Sequence, residues 1–203
     1  MLKFDFCMPT LGKTVPAGEH WFHEVKYDGY RLRVERDGHR VRLVTKGGND
    51  WSRRYPWIVD AALSNRQKQF VIDGEAVILG VDGISDFNAL HAGKHDAEVQ
   101  LCAFDVLALG GEDLRGLPLS MRKTNLERLL HRRPEGIFVN PFETGAIGPD
   151  LFRAACGMGL EGLVSKRADR PYKGGPSKDW IKVKNRTHHA FDRVQKAKAG
   201  GMR

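Results

Sequence analysis

The sequence predicts an α+β protein built on mainly antiparallel sheets. Three observations lead there. Apolar residues alternate with period two early in the chain, an Asp-Gly pair separates two such runs, and helical patterns are scattered irregularly among the strands. A regular βαβ array would place a helix after every strand.

The elements follow in order. Tyr30, Leu32 and Val34 fall on one face of a strand, with Arg31, Arg33 and Glu35 on the other. Asp37-Gly38 marks a hairpin turn, and Val41 and Leu43 continue the apolar face. Residues 57–69 are predicted as a helix with Ile58, Ala61, Ala62 and Leu63 inward. Phe70 to Leu79 is a strand ending in a Gly80 to Gly83 turn, Asp86 caps a short helix towards His91, and residues 99–109 form a strongly apolar strand. Met121 to His131 is an amphipathic helix, with Leu126, Leu129 and Leu130 on the core side and its Arg and Lys residues outside. Asp150 to Met158 is another short helix, followed by strands near 161–166 and 179–184. From Arg186 onward the apolar periodicity stops, and Arg186, Arg193, Lys196, Lys198 and Arg203 face one acid, Asp192. The expectation is one domain over 1–186 and a mobile basic tail over 187–203.

Composition excludes several classes. At 203 residues and 41% apolar the chain is long and apolar enough for a core, and no stretch approaches the roughly 18 apolar residues of a membrane helix. Lys3, Asp5 and Pro9 interrupt what a secretory signal would need. Cys7, Cys102 and Cys156 are isolated and odd in number, which points to a reducing cytoplasm. The 33 Lys and Arg exceed the 25 Asp and Glu, a net charge of +8 that favours a polyanionic partner.

Four matches fail on context. Gly12-Lys13-Thr14 ends like a phosphate-binding loop, but Cys7 stands where its first glycine belongs. Gly157 to Gly162 spells G-x-G-x-x-G after a predicted helix and before a strand, the reverse of the dinucleotide arrangement. His91 and His95 share a helix face at i, i+4 with no third ligand at metal spacing, and Asn185-Arg186-Thr187 is a sequon without meaning in a cytosolic chain.

A second group coheres. Glu24-Val25-Lys26-Tyr27-Asp28-Gly29-Tyr30-Arg31 puts a lysine at a strand end beside a tight Asp-Gly turn. Asp73-Gly74-Glu75, Phe104-Asp105-Val106-Leu107, Glu161-Gly162-Leu163-Val164 and Trp180-Ile181-Lys182-Val183-Lys184 follow in order. Lys182 and Lys184 point to one strand face, a costly pairing to bury unless an anion sits there.

This ordered set, over about residues 8 to 186, resembles the covalent nucleotidyltransferases and specifically the ATP-dependent DNA ligases. The small bacterial enzymes and the ligase module of bacterial end-joining proteins are most alike. The resemblance implies an ATP-grasp-like adenylation fold, two mainly antiparallel sheets flanked by helices with ATP in the groove between them. It implies that Lys26 attacks the α-phosphate of ATP, forms lysyl-AMP and expels pyrophosphate. An ammonium is no nucleophile, so the cations Lys182 and Lys184 and a bound metal would favour the free amine and neutralise the α-phosphate.

By the same resemblance Glu75 and Glu161 match positions that bind the ribose hydroxyl and a metal, Mg2+ or Mn2+. Phe104 and Val164 match the two faces around adenine, Glu24 the residue reading its amino group, and Arg31 one near the ribose and the nick. The run TKGGNDWSRRYP matches a nick-contacting segment. In it Lys46 stands where the family usually has Arg, keeping the charge for the 5′-phosphate but losing the bidentate fork. The family's Gly-Arg-Ser before the last motif is here Gly175-Pro176-Ser177.

Nineteen residues follow Lys184 and 25 precede Lys26, against the roughly 80–100 of an oligonucleotide-binding-fold domain. The expectation is therefore a monomeric adenylation domain acting on nicked duplex DNA in repair or recombination, with a separate DNA-binding or end-joining protein supplying the missing domain. The alternatives are an adenylation-only fragment, an RNA-ligase or capping-type enzyme, and a non-catalytic nick-binding module.

Overall fold

The structure, a computed structural model, describes residues 3–131 and 135–191. In chain order its strands are β1 (Cys7–Leu11), β2 (Trp21–Val25), β3 (Tyr30–Asp37), β4 (Arg40–Thr45), β5 (Gln69–Val77), β6 (Gln100–Leu109), β7 (Glu112–Asp113), β8 (Ile137–Val139), β9 (Phe142–Thr144), β10 (Gly162–Arg167) and β11 (Gly175–Lys184). The helices are α1 (Pro56–Ser64), α2 (Phe87–Ala92), α3 (Leu119–Leu130) and α4 (Gly148–Gly157). The chain divides into two compact units, each assembled from three separate segments. The α+β class with mainly antiparallel sheets is what the alternation predicts.

The first unit comprises Met1–Cys7, Gly29–Asn140 and Asp169–Gly175. Its sheet runs β4-β3-β5-β6-β7, all antiparallel, with β8 added parallel to β6. Leu32, Val34, Leu43, Ile72, Leu101 and Val106 are buried on it against α1 and α3. The polar side of β3 is covered as well: the Arg33 guanidinium lies 5.1 Å from the Phe6 ring centroid and the side chain is buried.

The β3–β4 turn falls one residue later than the Asp-Gly pair suggests. Asp37 still pairs with Arg40, so Gly38 and His39 form the two-residue loop, and Gly38 supplies the positive φ of 62° it demands.

The helix expected over 57–69 stops at Ser64, and Gln69 already belongs to β5. Arg36 Nη1 ends it by donating to the carbonyls of Ala62, Asn65 and Gln67, which satisfies acceptors the last turn leaves open. Ile58, Ala61 and Ala62 face inward, whereas Leu63 is exposed. In α3 the basic residues are not all outside: Arg122 and Lys123 are buried with Leu126 and Leu130. Arg122 earns its place by a two-point bond to the buried Asp105 of β6, at 2.8 and 2.9 Å. His91 and His95 do not share a helix, because α2 ends at Ala92 and Gly93 turns left-handed at φ 69°. His91 bonds Tyr30 and His95 bonds Glu98. The Asp86 cap forms as expected, its carboxylate accepting from Ala89 N at 2.9 Å.

The second unit comprises Met8–Asp28, Pro141–Ala168 and Pro176–Arg203. Its sheet runs β1-β11-β10-β2-β9, and α4 packs on β10. Beyond β11 the chain stays packed through Phe191. Asn185 donates to the Leu160 carbonyl, its own side chain receives Thr187, and Ala190 is buried. The expected tail thus has its first five residues in place, and the remainder, 192–203, lies outside the described residues.

Candidate active site

In the second unit β2, β10 and β11 lie side by side, and their register decides what meets. Val164 pairs with Glu24 on one side and Lys182 on the other, while Gly162 pairs with Lys184. Cross-strand partners share a face, so Glu24, Val164, Lys182 and Lys184 line one side of the sheet. Lys26 follows β2 directly, its backbone N–H bonded to the Gly162 carbonyl at 2.9 Å.

That geometry puts three charges together. Lys26 Nζ lies 2.5 Å from Glu161 Oε2, and Lys184 Nζ lies 2.9 Å from Glu161 Oε1. Glu161 is 4% exposed. Burial pushes its carboxyl upward, yet Lys26 and Lys184 outweigh burial and hold it below the usual carboxylate range. The result is an anion with two ammonium groups, a net positive cluster that attracts phosphate oxygens. Gly162 makes the approach feasible: a Cβ there would stand 2.1 Å from the Val183 carbonyl oxygen.

Further along the face Lys166 Nζ bonds Glu24 Oε2 at 2.6 Å and sits 4.2 Å from the Trp180 ring centroid. Sequence reading assigned Lys166 nothing. Its signal was available: in β10 it stands two residues beyond Val164, hence on the same face as the other charged groups.

The first unit gathers the remaining residues on β3, β5 and β6. Arg31 is opposite Glu75 in the ladder. Its Nε and Nη2 clamp Asp73 at 2.8 and 2.7 Å, and its guanidinium lies 4.8 Å from the Phe104 ring centroid. Asp73 is wholly buried and also accepts the Tyr172 hydroxyl at 2.7 Å. Burial opposes charge on Arg31, but Asp73, then Tyr172 and Glu75, reverse that and raise it above its ordinary value. Burial together with Asp73 likewise pushes the Tyr172 hydroxyl up. Arg31 is therefore anchored within its unit rather than extended into solvent. Gly29 permits β3 to run this close to β5, since a Cβ there would meet the Ala76 carbonyl oxygen at 2.2 Å.

Lys46 is exposed in the turn after β4, which is pinned where Thr45 bonds Asn49 and Gly48. Asp73 and Tyr172, like Lys166, were not assigned from sequence. A buried-strand position holding Asp was a signal for the first; nothing local marks the second.

Comparison with known proteins identifies the family. Residues 9–184 fit the family model for the ATP dependent DNA ligase domain. The chain is 37% identical over 195 residues to the multifunctional non-homologous end joining protein LigD of Pseudomonas aeruginosa, covering 92% of this chain and 23% of that protein. It is 31% identical over 172 residues to the SPbeta prophage-derived DNA ligase-like protein LigB of Bacillus subtilis, covering 82% of this chain and 62% of that one. Among solved structures, the ligase domain of Mycobacterium tuberculosis LigD superposes with a TM-score of 0.76 at 32% identity, over 88% of this chain and 59% of that chain. Mycobacterial DNA ligase D complexed with ATP and MES gives 0.76 at 31%, with the same coverages. The chain spans about a quarter of the length of the LigD proteins it matches. With the family model covering most of its length, and LigD ligase-domain structures sharing its fold, the chain belongs to the ATP-dependent DNA ligase domain family.

Proposed function

We propose that this chain carries out ATP-dependent DNA ligation through a covalent lysyl-AMP on Lys26. The single observation that supports this most is the Lys26–Glu161–Lys184 cluster, since its lysine is placed at a strand end beside an anion and a second cation. Attack requires the neutral amine, so Lys26 gives one ammonium proton to solvent before the N–P bond forms, and the nitrogen loses a second proton to solvent as the phosphoramidate is completed. The Lys26 nitrogen then bonds the α-phosphorus, the bond from that phosphorus to the β-phosphate bridging oxygen breaks, and pyrophosphate departs. Lys184 and Lys182 stabilise the charge that builds on the phosphoryl oxygens. AMP next passes to the 5′-phosphate of a nick, and the 3′-hydroxyl displaces it.

The other roles divide between the units. Glu24, fixed by Lys166, reads the adenine amino group, and Val164 lies beside it on the sheet. Phe104 offers an aromatic face to the base, with Arg31 and Glu75 near the ribose. Lys46 and Arg31 attend the nick phosphate. Glu161 in the second unit and Glu75 in the first each carry hard carboxylate oxygens of the type Mg2+ or Mn2+ takes, and Glu161 is held ionised, so its own chemistry fits such an ion. A bound ion would neutralise phosphate charge and polarise the α-phosphate.

The curated relatives are named for non-homologous end joining, and we extend that pathway to this chain, with nicked duplex DNA as substrate and a DNA-binding or end-joining protein as partner. We place it in the cytoplasm as a monomer; among the described residues no helix is long and apolar enough to cross a membrane. The deciding experiment incubates the chain with α-labelled ATP and Mg2+, followed by denaturing electrophoresis and a nick-sealing assay. Label that stays with the protein and vanishes in Lys26→Ala is expected. An unlabelled protein, or equal labelling of Lys26→Ala, overturns the reading.

A further inference from the structure

A second constellation lies in the second unit and is used by none of the chemistry above. Asp28, His188 and His189 bring one ligand atom each to within 4.8 Å of one another. Asp28 and His188 are each 8% exposed, whereas His189 is exposed at the surface. His189 Nε2 lies 3.6 Å from Asp28 Oδ2, and the two imidazole rings are 4.1 Å apart between centroids.

The backbone holds these groups in place. Asn185 N bonds the Glu161 carbonyl at 2.9 Å and Asn185 Nδ2 the Leu160 carbonyl at 3.1 Å, which pins the segment leaving β11. Thr187 N and Oγ1 fold back on Asn185 Oδ1, and Phe191 N bonds the His188 carbonyl at 2.8 Å. The histidines therefore stand on an anchored turn, four and five residues after Lys184. Asp28 is two residues after Lys26.

We propose that Asp28, His188 and His189 form a binding site for a divalent first-row transition metal of the zinc class. Two imidazoles and one carboxylate are a ligand set such ions accept, with water completing the shell. Mg2+ prefers oxygen ligands throughout and fits poorly. Metal–ligand bonds of about 2.0–2.2 Å place tetrahedral ligands roughly 3.4 Å apart. The present spread of up to 4.8 Å is wider than that, so the three groups draw together as the ion binds.

Binding carries a cost that sets the range to search. His188 Nδ1 accepts the Ala190 N–H at 3.1 Å, so in the free protein the other ring nitrogen holds the proton. Ligation through Nε2 moves that proton to Nδ1 and gives up the bond to Ala190. Micromolar metal is accordingly the range to titrate. The occupied site would clasp the segment after Lys184 to the turn after Lys26, holding the two lysines in fixed relation without entering the reaction.

The test uses the full chain stripped of metal, titrated with Co2+ by visible absorption and with Zn2+ in competition with a chromogenic chelator. One equivalent should bind. Loss of an outer-sphere partner alone costs about 10–100-fold in metal affinity, so removing a ligand in His188→Ala or His189→Ala should cost at least about tenfold. Glu161→Gln should leave binding intact, which separates this site from the lysine cluster. No stoichiometric binding, undiminished binding in His189→Ala, or loss in Glu161→Gln each overturns the proposal. His189 is exposed, so its variant folds even where His188→Ala does not. The readout is the metal itself, independent of whether the chain ligates DNA.

Discussion

Glu161 decides much by being an anion with two cations. Replacing Lys184 by Ala removes one of the donors proposed to meet a developing phosphoryl charge. Lysyl-AMP formation should slow by roughly 10²–10³-fold, measured by single-turnover labelling with ATP in excess. The same carboxylate couples stability to acid. Its pKa is lower folded than its ordinary 4.5, so near pH 4 the unfolded chain binds more protons and the folded state loses ground. Stability present above about pH 4.5 should decline as pH falls through the folded value, and Glu161→Gln should flatten that part of the curve in urea titrations. Tyr172→Phe deletes one donor to the buried Asp73 and one acceptor for Cys7 N. It should cost about 1–3 kcal/mol, read by chemical denaturation. Residues of this kind divide by legibility. Lys26, Glu161 and Lys184 were singled out by an ordered set of motifs, with strand parity bearing on Lys184, and the structure brings the three together. Tyr172 was not, since it reaches Asp73 across 99 positions, and no local pattern encodes that contact.

Elements meet here through a few exacting contacts. The buried pair Arg122–Asp105 ties α3 to β6. Arg122→Met leaves an uncompensated buried carboxylate and should destabilise by about 3–5 kcal/mol, whereas Arg122→Met with Asp105→Leu should recover most of the loss. Gly162→Ala sets a methyl against the Val183 carbonyl at a φ of 142°. It should cost at least about 1–3 kcal/mol and reduce adenylation, because the strand that would shift carries Lys184. The longer strands β3, β4, β5, β6 and β10 were foreseen from their apolar patterning, whereas β1, β7, β8 and β9 were not, and β11 begins at Gly175 rather than near 179. Helix limits were not: α1 ends where Arg36 collects its carbonyls, an agreement between residues far apart in sequence. Arg122 and Lys123 ran against amphipathic expectation for a similar reason, as the partner that makes Arg122 tolerable lies on β6.

For the whole molecule, a net charge of +8 makes any DNA affinity depend on salt. Between about 50 and 200 mM salt, binding to nicked duplex should weaken at least about tenfold, since each neutralised phosphate releases counterions. Fluorescence anisotropy over that range checks this, and a flat response would deny a phosphate-dominated contact. What patterning could not foresee is the division into two units from alternating segments, because segment-to-unit assignment is a matter of long-range pairing. That interleaving bears on biosynthesis. Within its sheet β2 is flanked by β10 and β9, both made late. Lys26 and Glu161 are 135 positions apart, so at about 5–20 residues per second the ribosome delivers the carboxylate roughly 7–27 s after the lysine proposed as nucleophile. The long central segment of the first unit is complete before then. A nascent chain arrested before Glu161 would therefore hold Lys26 without Glu161 and Lys184, and on the proposed chemistry competence should arise abruptly, near the end of translation.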